Sequence, residues 1–137
     1  MSVRVDQRKE SQCEFLNTAH ELEKLTIQLS MRENAIPKRY RFTLGLPLCE
    51  SARALNMNII YANSIFPTTK EEYQLRRMYQ LKAKAEVKNL YELMRLATEL
   101  LPIKNTVSEE WVRMAHTEDV VLRKWIQSDK QRYKDLL

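Results

Sequence analysis

One stripe of residues constrains this chain more than any other feature. Tyr73, Gln80, Ala83, Val87, Leu90, Met94, Ala97 and Leu101 recur at spacings of seven, three and four, so at 100° per residue they share one side of a helix. Thr68 and Thr69, followed by Glu71 and Glu72, supply an N-cap and a capping box ahead of the stripe, and Pro102 ends it. The predicted helix, residues 69–101, is about 45 Å long at the standard rise. A helix of that length buries its stripe against other long helices, which points to a bundle.

Three further segments supply the partners. From residue 6 to 33, Phe15, Ala19, Leu22, Thr26 and Leu29 alternate at four and three, flanked by Leu16 and Leu25. In residues 38–66, Leu48, Ala52, Leu55, Ile59, Ala62 and Phe66 do the same, and Pro67 closes the run. Its start is open between Pro37 and Pro47, because a proline inside a helix removes a hydrogen bond and kinks it. Ser108, with Glu109 and Glu110 behind it, opens the fourth helix, residues 108–133. Its apolar set of Trp111, Val112, Ala115, Leu122, Trp125 and Ile126 is interrupted by Glu118 and Asp119. One glycine in 137 residues argues against a sheet with tight turns. The expected fold is all-α, a single antiparallel up-down four-helix bundle.

Function is less constrained. The Glu-x-x-His pair that builds metal sites in bundles is absent, since Asn17 precedes His20 and Arg113 precedes His116 at that spacing. Glu118 and Asp119 are either paired carboxylates for proton transfer or a polar break in the fourth helix. Cys49 is a small core residue or a nucleophile. No glycine-rich phosphate loop or catalytic triad spacing can be assembled, so neither an enzyme nor a cofactor is expected. Cys13 and Cys49 fit reduced thiols in a cytoplasmic protein. Residues 1–9 lack the apolar run of a signal peptide, and no stretch approaches the length of a membrane span.

Charge carries the positive signal. The chain is +5 overall, which suits an anionic partner. Residues 6–33 hold six acids against four bases, whereas residues 34–137 hold 18 bases against 12 acids. On the third helix Arg77, Lys84, Lys88 and Arg95 fall at seven, four and seven, with Tyr91 among them, so they share a narrow face beside the stripe. Such a face suits a phosphate backbone, with the ring stacking on a base; the other reading is a solubilising face with pairs such as Lys88 and Glu92. Lys38, Arg39 and Arg41 add a second basic cluster. Leu75, Met78, Leu93, Leu96 and Leu100 widen the apolar arc of the third helix, which is either central in the monomer or also faces another subunit.

The run Ile36-Pro37-Lys38, then Arg41-Phe42-Thr43-Leu44-Gly45 ahead of a long apolar-periodic helix, resembles the start of helix two in a bacterial four-helix-bundle family. That family comprises the 23S rRNA intervening-sequence proteins and the accessory variability determinant proteins of diversity-generating retroelements. The similarity in pattern extends from about Phe15 to Tyr133. Pro47 departs from it, falling where the family carries a helix-compatible residue. The resemblance implies a pentameric barrel with basic surfaces that binds a reverse transcriptase and its template RNA; the phosphate contacts are expected from the two basic groups, Lys38, Arg39, Arg41, Arg77, Lys84, Lys88 and Arg95, with Tyr91 stacking. DNA binding and support of complementary DNA synthesis follow from the same role. The alternative is an intervening-sequence-type bundle acting as a protein-only oligomeric scaffold.

Overall fold

A computed structural model describes the backbone of residues 2–136 and the side chains of residues 16–136. Among the described residues it is all-helical, with four α-helices: α1 (Ser2–Ser30), α2 (Leu46–Asn63), α3 (Lys70–Leu100) and α4 (Asn105–Arg132). A 3₁₀ turn (Lys38–Tyr40) and a π-helical turn (Arg41–Gly45) precede α2, and a 3₁₀ turn (Lys134–Leu136) follows α4. No helix of the described residues is long and apolar enough to cross a membrane.

The expected α3 stripe is the observed one. All eight of its members are buried. The capping box also forms: Thr69 Oγ1 accepts the Glu72 N–H at 3.2 Å, while Glu72 Oε1 accepts the Thr69 N–H at 3.1 Å. Thr68 contributes a second backbone donor and its hydroxyl to the same carboxylate, and these bonds hold Glu72 below the usual carboxylate range.

Each helix packs on two others in the cycle α1, α2, α3, α4 and back to α1, the contact between α2 and α3 being the most extensive. Polar cross-links fix each contact. Glu23 of α1 accepts from Asn56 Nδ2 and Arg53 Nε of α2 at 2.9 and 3.2 Å. Ser51 of α2 donates to the Glu86 carbonyl of α3 at 3.2 Å and accepts from Asn89 Nδ2 at the same distance. Trp111 Nε1–H of α4 reaches Thr26 Oγ1 of α1 at 3.0 Å, and that hydroxyl donates to the Leu22 carbonyl at 2.8 Å. The largest core side chain therefore has its one donor satisfied.

Several boundaries differ from the sequence expectation. The first helix ends at Ser30 rather than residue 33. In place of one helix over residues 38–66, the chain makes a 3₁₀ turn and a π turn before α2 begins at Leu46. The Leu46 N–H donates to the Arg41 carbonyl five residues back, and Pro47 then falls in the first turn of α2, where its missing N–H costs nothing. Phe66 is not core but 72% exposed, because α2 stops at Asn63 and the stripe does not continue into the loop. The fourth helix starts one turn early, at Asn105; Ser108 does not cap it but donates its hydroxyl to the Asn105 carbonyl at 3.0 Å. Val112, expected in the core, is exposed, and Glu118 stands in the buried face of α4. Phe15 and Cys13 lie outside the described side chains.

Candidate nucleic-acid interface

The α3 stripe fixes which way the rest of that helix points. With Tyr73, Arg76, Gln80, Ala83 and Val87 buried, Arg77, Lys84 and Lys88 fall on the flank that borders α4. Arg77 and Lys84 are half-buried and Lys88 is exposed. None of the three forms an ion pair among the described residues, so the pair of Lys88 with Glu92 is not made. Arg95, on the same flank, does pair, with Glu99 at 3.2 Å. Both partners are well exposed, and such a pair is weak enough to yield to a phosphate. Tyr91 is placed differently from a free stacking ring. It is half-buried and packs against the core, and burial, followed by the charge of Asp119, raises its hydroxyl above the ordinary value while Arg123 opposes the rise.

Lys38, Arg39 and Arg41 are exposed and belong to the two turns before α2, of which the π turn packs on α1 and α2. The two basic groups thus belong to different elements, the turns before α2 and the α4-side flank of α3. The turns are held firmly. Glu33 accepts the Lys38 backbone N–H at 3.0 Å, Tyr40 donates its N–H to the Pro37 carbonyl at 2.8 Å, and Ile36, Leu44 and Gly45 are buried. Arg39 lies over the Tyr40 ring, 5.2 Å from its centroid. Among the described residues Lys38, Arg39 and Arg41 make no ion pair.

No family model matches the chain, and no characterised protein or solved structure is significantly similar to it.

Sequence reasoning missed two features. Phe42, 81% exposed, is the most exposed large apolar residue among the described side chains, and it was legible only as an aromatic among cations. The second is a buried cluster at one end of α3 and α4. Asp129 accepts from Arg76 Nε at 2.7 Å, Arg76 Nη2 at 3.1 Å and Gln80 Nε2 at 2.7 Å, and Arg76 Nη1 donates to the Ile65 carbonyl at 2.8 Å. Both oxygens of the Asp129 carboxylate are engaged by these donors. No group of three or more potential metal ligands occurs among the described residues. Cys49 is half-buried, with its thiol donating to Ser30 Oγ at 3.2 Å.

Proposed function

We propose that this protein is a non-catalytic, nucleic-acid-binding subunit built as an antiparallel up-down four-helix bundle. The cross-links support the antiparallel order. Ser30 meets Cys49 while Glu23 meets Asn56, Ser51 meets Glu86 while Tyr61 meets Tyr79, and Arg76 meets Asp129 while Tyr91 senses Asp119. In each case the number rises on one helix as it falls on its neighbour.

The observation that carries the function is the row Arg77, Lys84 and Lys88, three cations on one flank that no carboxylate among the described residues neutralises. A phosphate backbone is the anion whose charges repeat along such a row. The motif Ile36 to Gly45 narrows the role to that of an accessory variability determinant, a cytoplasmic protein that holds a reverse transcriptase and its template RNA together, with DNA bound through the same phosphate contacts.

Changing Arg77, Lys84 and Lys88 together to Gln is expected to weaken RNA and DNA binding alike and to flatten its salt dependence. Each lost contact removes roughly 0.7 from the log-log slope on single strands and roughly 0.9 on duplex. Fluorescence anisotropy over a salt series measures both. Binding untouched by the triple change would remove this face from the reading.

A protein-only scaffold is favoured by a different observation. Leu75, Met78, Leu81, Leu96 and Leu100 of α3 and Ile60 and Tyr61 of α2 are exposed, and Met78, Leu81 and Ala85 line an open depression bordered by Arg77 and Lys82. Leu93 is half-buried against the core and so belongs to the monomer. An apolar band of this width is the kind of surface that subunits cover. In native mass spectrometry at micromolar concentration the protein is expected as a closed homo-oligomer, with five copies from the family resemblance. A monomer would leave the band uncovered and end the ring proposal.

A further inference from the structure

Phe42 stands on a turn whose backbone is fixed from both sides. Before it, Ile36 is buried and the Tyr40 ring packs against the core beneath the Arg39 guanidinium. After it, Leu44 and Gly45 are buried, and a Cβ placed at Gly45 would make ordinary van der Waals contact with Ser30 Cβ at 3.7 Å and Ile36 Cγ2 at 3.8 Å. The π-helical hydrogen bond from Leu46 to Arg41 closes the turn. Such turns occur mostly as single insertions in helices and frequently at functional sites. This one projects the Phe42 ring into solvent at 81% exposure, so the ring is held out on a rigid base.

A singly exposed aromatic means little by itself. Its surroundings distinguish Phe42. Lys38, Arg39 and Arg41 are all exposed within four residues of it, without ion pairs among the described residues, and Glu33 is occupied with the Lys38 backbone N–H. Phe66, exposed at 72%, has one cation within the same span, Lys70, and its other neighbours from residue 62 to 69 are uncharged. Tyr40 is not available as a stacking ring because Arg39 covers it.

The geometry points to Phe42 as a base-stacking residue for single-stranded nucleic acid, with Lys38, Arg39 and Arg41 holding the flanking phosphates. This rests on the nucleic-acid reading above and assigns to a different element the stacking role expected of Tyr91. The chemistry selects single strands. An unpaired base offers its face to a ring, whereas a duplex keeps its bases stacked on one another and presents mainly phosphates to the cations. A lipid surface fits less well, since the large apolar residues exposed in this turn and at the start of α2 are Phe42 and Leu46 alone, set among cations, and two residues do not make the apolar helix face that lies in a membrane.

The test is anisotropy with a short labelled oligouridylate and a labelled duplex, comparing the parent with Phe42→Ala, Phe42→Trp and the change of Lys38, Arg39 and Arg41 together to Gln. Phe42→Ala is expected to weaken single-strand binding roughly five- to 150-fold, leave duplex binding nearly unchanged and keep the salt slope. The Gln variant should lose slope on both ligands. Phe42→Trp should restore single-strand affinity, and the emission of its introduced indole should be quenched as oligouridylate is added. If Phe42→Ala binds oligouridylate like the parent while the α3 triple variant does not, this inference falls and the α3 face stands. If the parent binds neither ligand at low salt, both readings fall. An emission shift of Phe42→Trp with phosphatidylserine vesicles and none with oligouridylate would make the turn a membrane contact and overturn the assignment.

Discussion

Asp129→Ala is expected to destabilise the fold by about 3–5 kcal/mol, a large share of what a domain of this size possesses. Asp129 is 1% exposed and Arg76 3%. The carboxylate takes three hydrogen bonds, two from Arg76 and one from Gln80, and the guanidinium lies 5.0 Å from the Trp125 ring and 5.7 Å from the Tyr133 ring. Removing the acid leaves a cation in a site that water does not reach and orphans the Gln80 amide. Most of the loss comes from the uncompensated charge and the orphaned amide, so replacing the cluster with apolar residues of similar size, Arg76→Met, Gln80→Met and Asp129→Leu together, should recover most of it. Urea unfolding followed by circular dichroism measures this. Asp129→Ala should lower the midpoint by roughly 1 M or more, and the triple variant should lie close to the parent. A midpoint unmoved in Asp129→Ala would mean the cluster is hydrated and contributes little. The cluster also bears on the candidate interface: Arg76 is drawn inward by Asp129, and the same helical rotation puts Arg77 on the flank.

Those adjacent arginines illustrate how much was legible in the chain. Rotation about α3 follows from the spacing of Tyr73 through Leu101, so the flank carrying Arg77, Lys84 and Lys88 could be placed before any coordinates. Arg76 and Asp129 also stand at core positions by spacing, Arg76 between Tyr73 and Gln80, and Asp129 three residues after Ile126. Their meeting was not legible, because a pattern within one helix says nothing about which helix lies opposite. Phe66 went wrong for a local reason: the period ran on past the point where Ser64 leaves the helix. The exposure of Phe42 depends on a π-helical turn, for which no sequence signature exists, and the immersion of Tyr91 depends on how closely α4 approaches.

Glu118 yields the other large effect, and its sign runs against the usual acid sensitivity of proteins. Its side chain is fully buried among Ala115, Leu122 and the rest of the core, neither carboxyl oxygen has a hydrogen-bond partner among the described residues, and burial pushes its pKa up to about 8. In the unfolded chain the same group titrates near 4.3. Between those values the folded state keeps a proton that the unfolded state releases. The folded form binds more protons, and stability must fall as pH rises. The contribution is fully present below the unfolded value, declines through the window up to about 8 and is then level; across it the change is on the order of a few kcal/mol. Glu72 acts in the opposite sense: its lowered pKa gives stability that is present above its unfolded value and lost in acid. Comparing parent with Glu118→Leu at each pH cancels that background. Leu fills a similar volume without a group to ionise, so this variant is expected to be clearly more stable than the parent at pH 8, with the advantage shrinking steadily toward pH 5. Urea midpoints at several pH values between these limits read the difference directly. A difference that stays constant with pH would mean that Glu118 ionises in the fold as readily as out of it, and a less stable Glu118→Leu at pH 8 would mean that the buried carboxyl is satisfied after all.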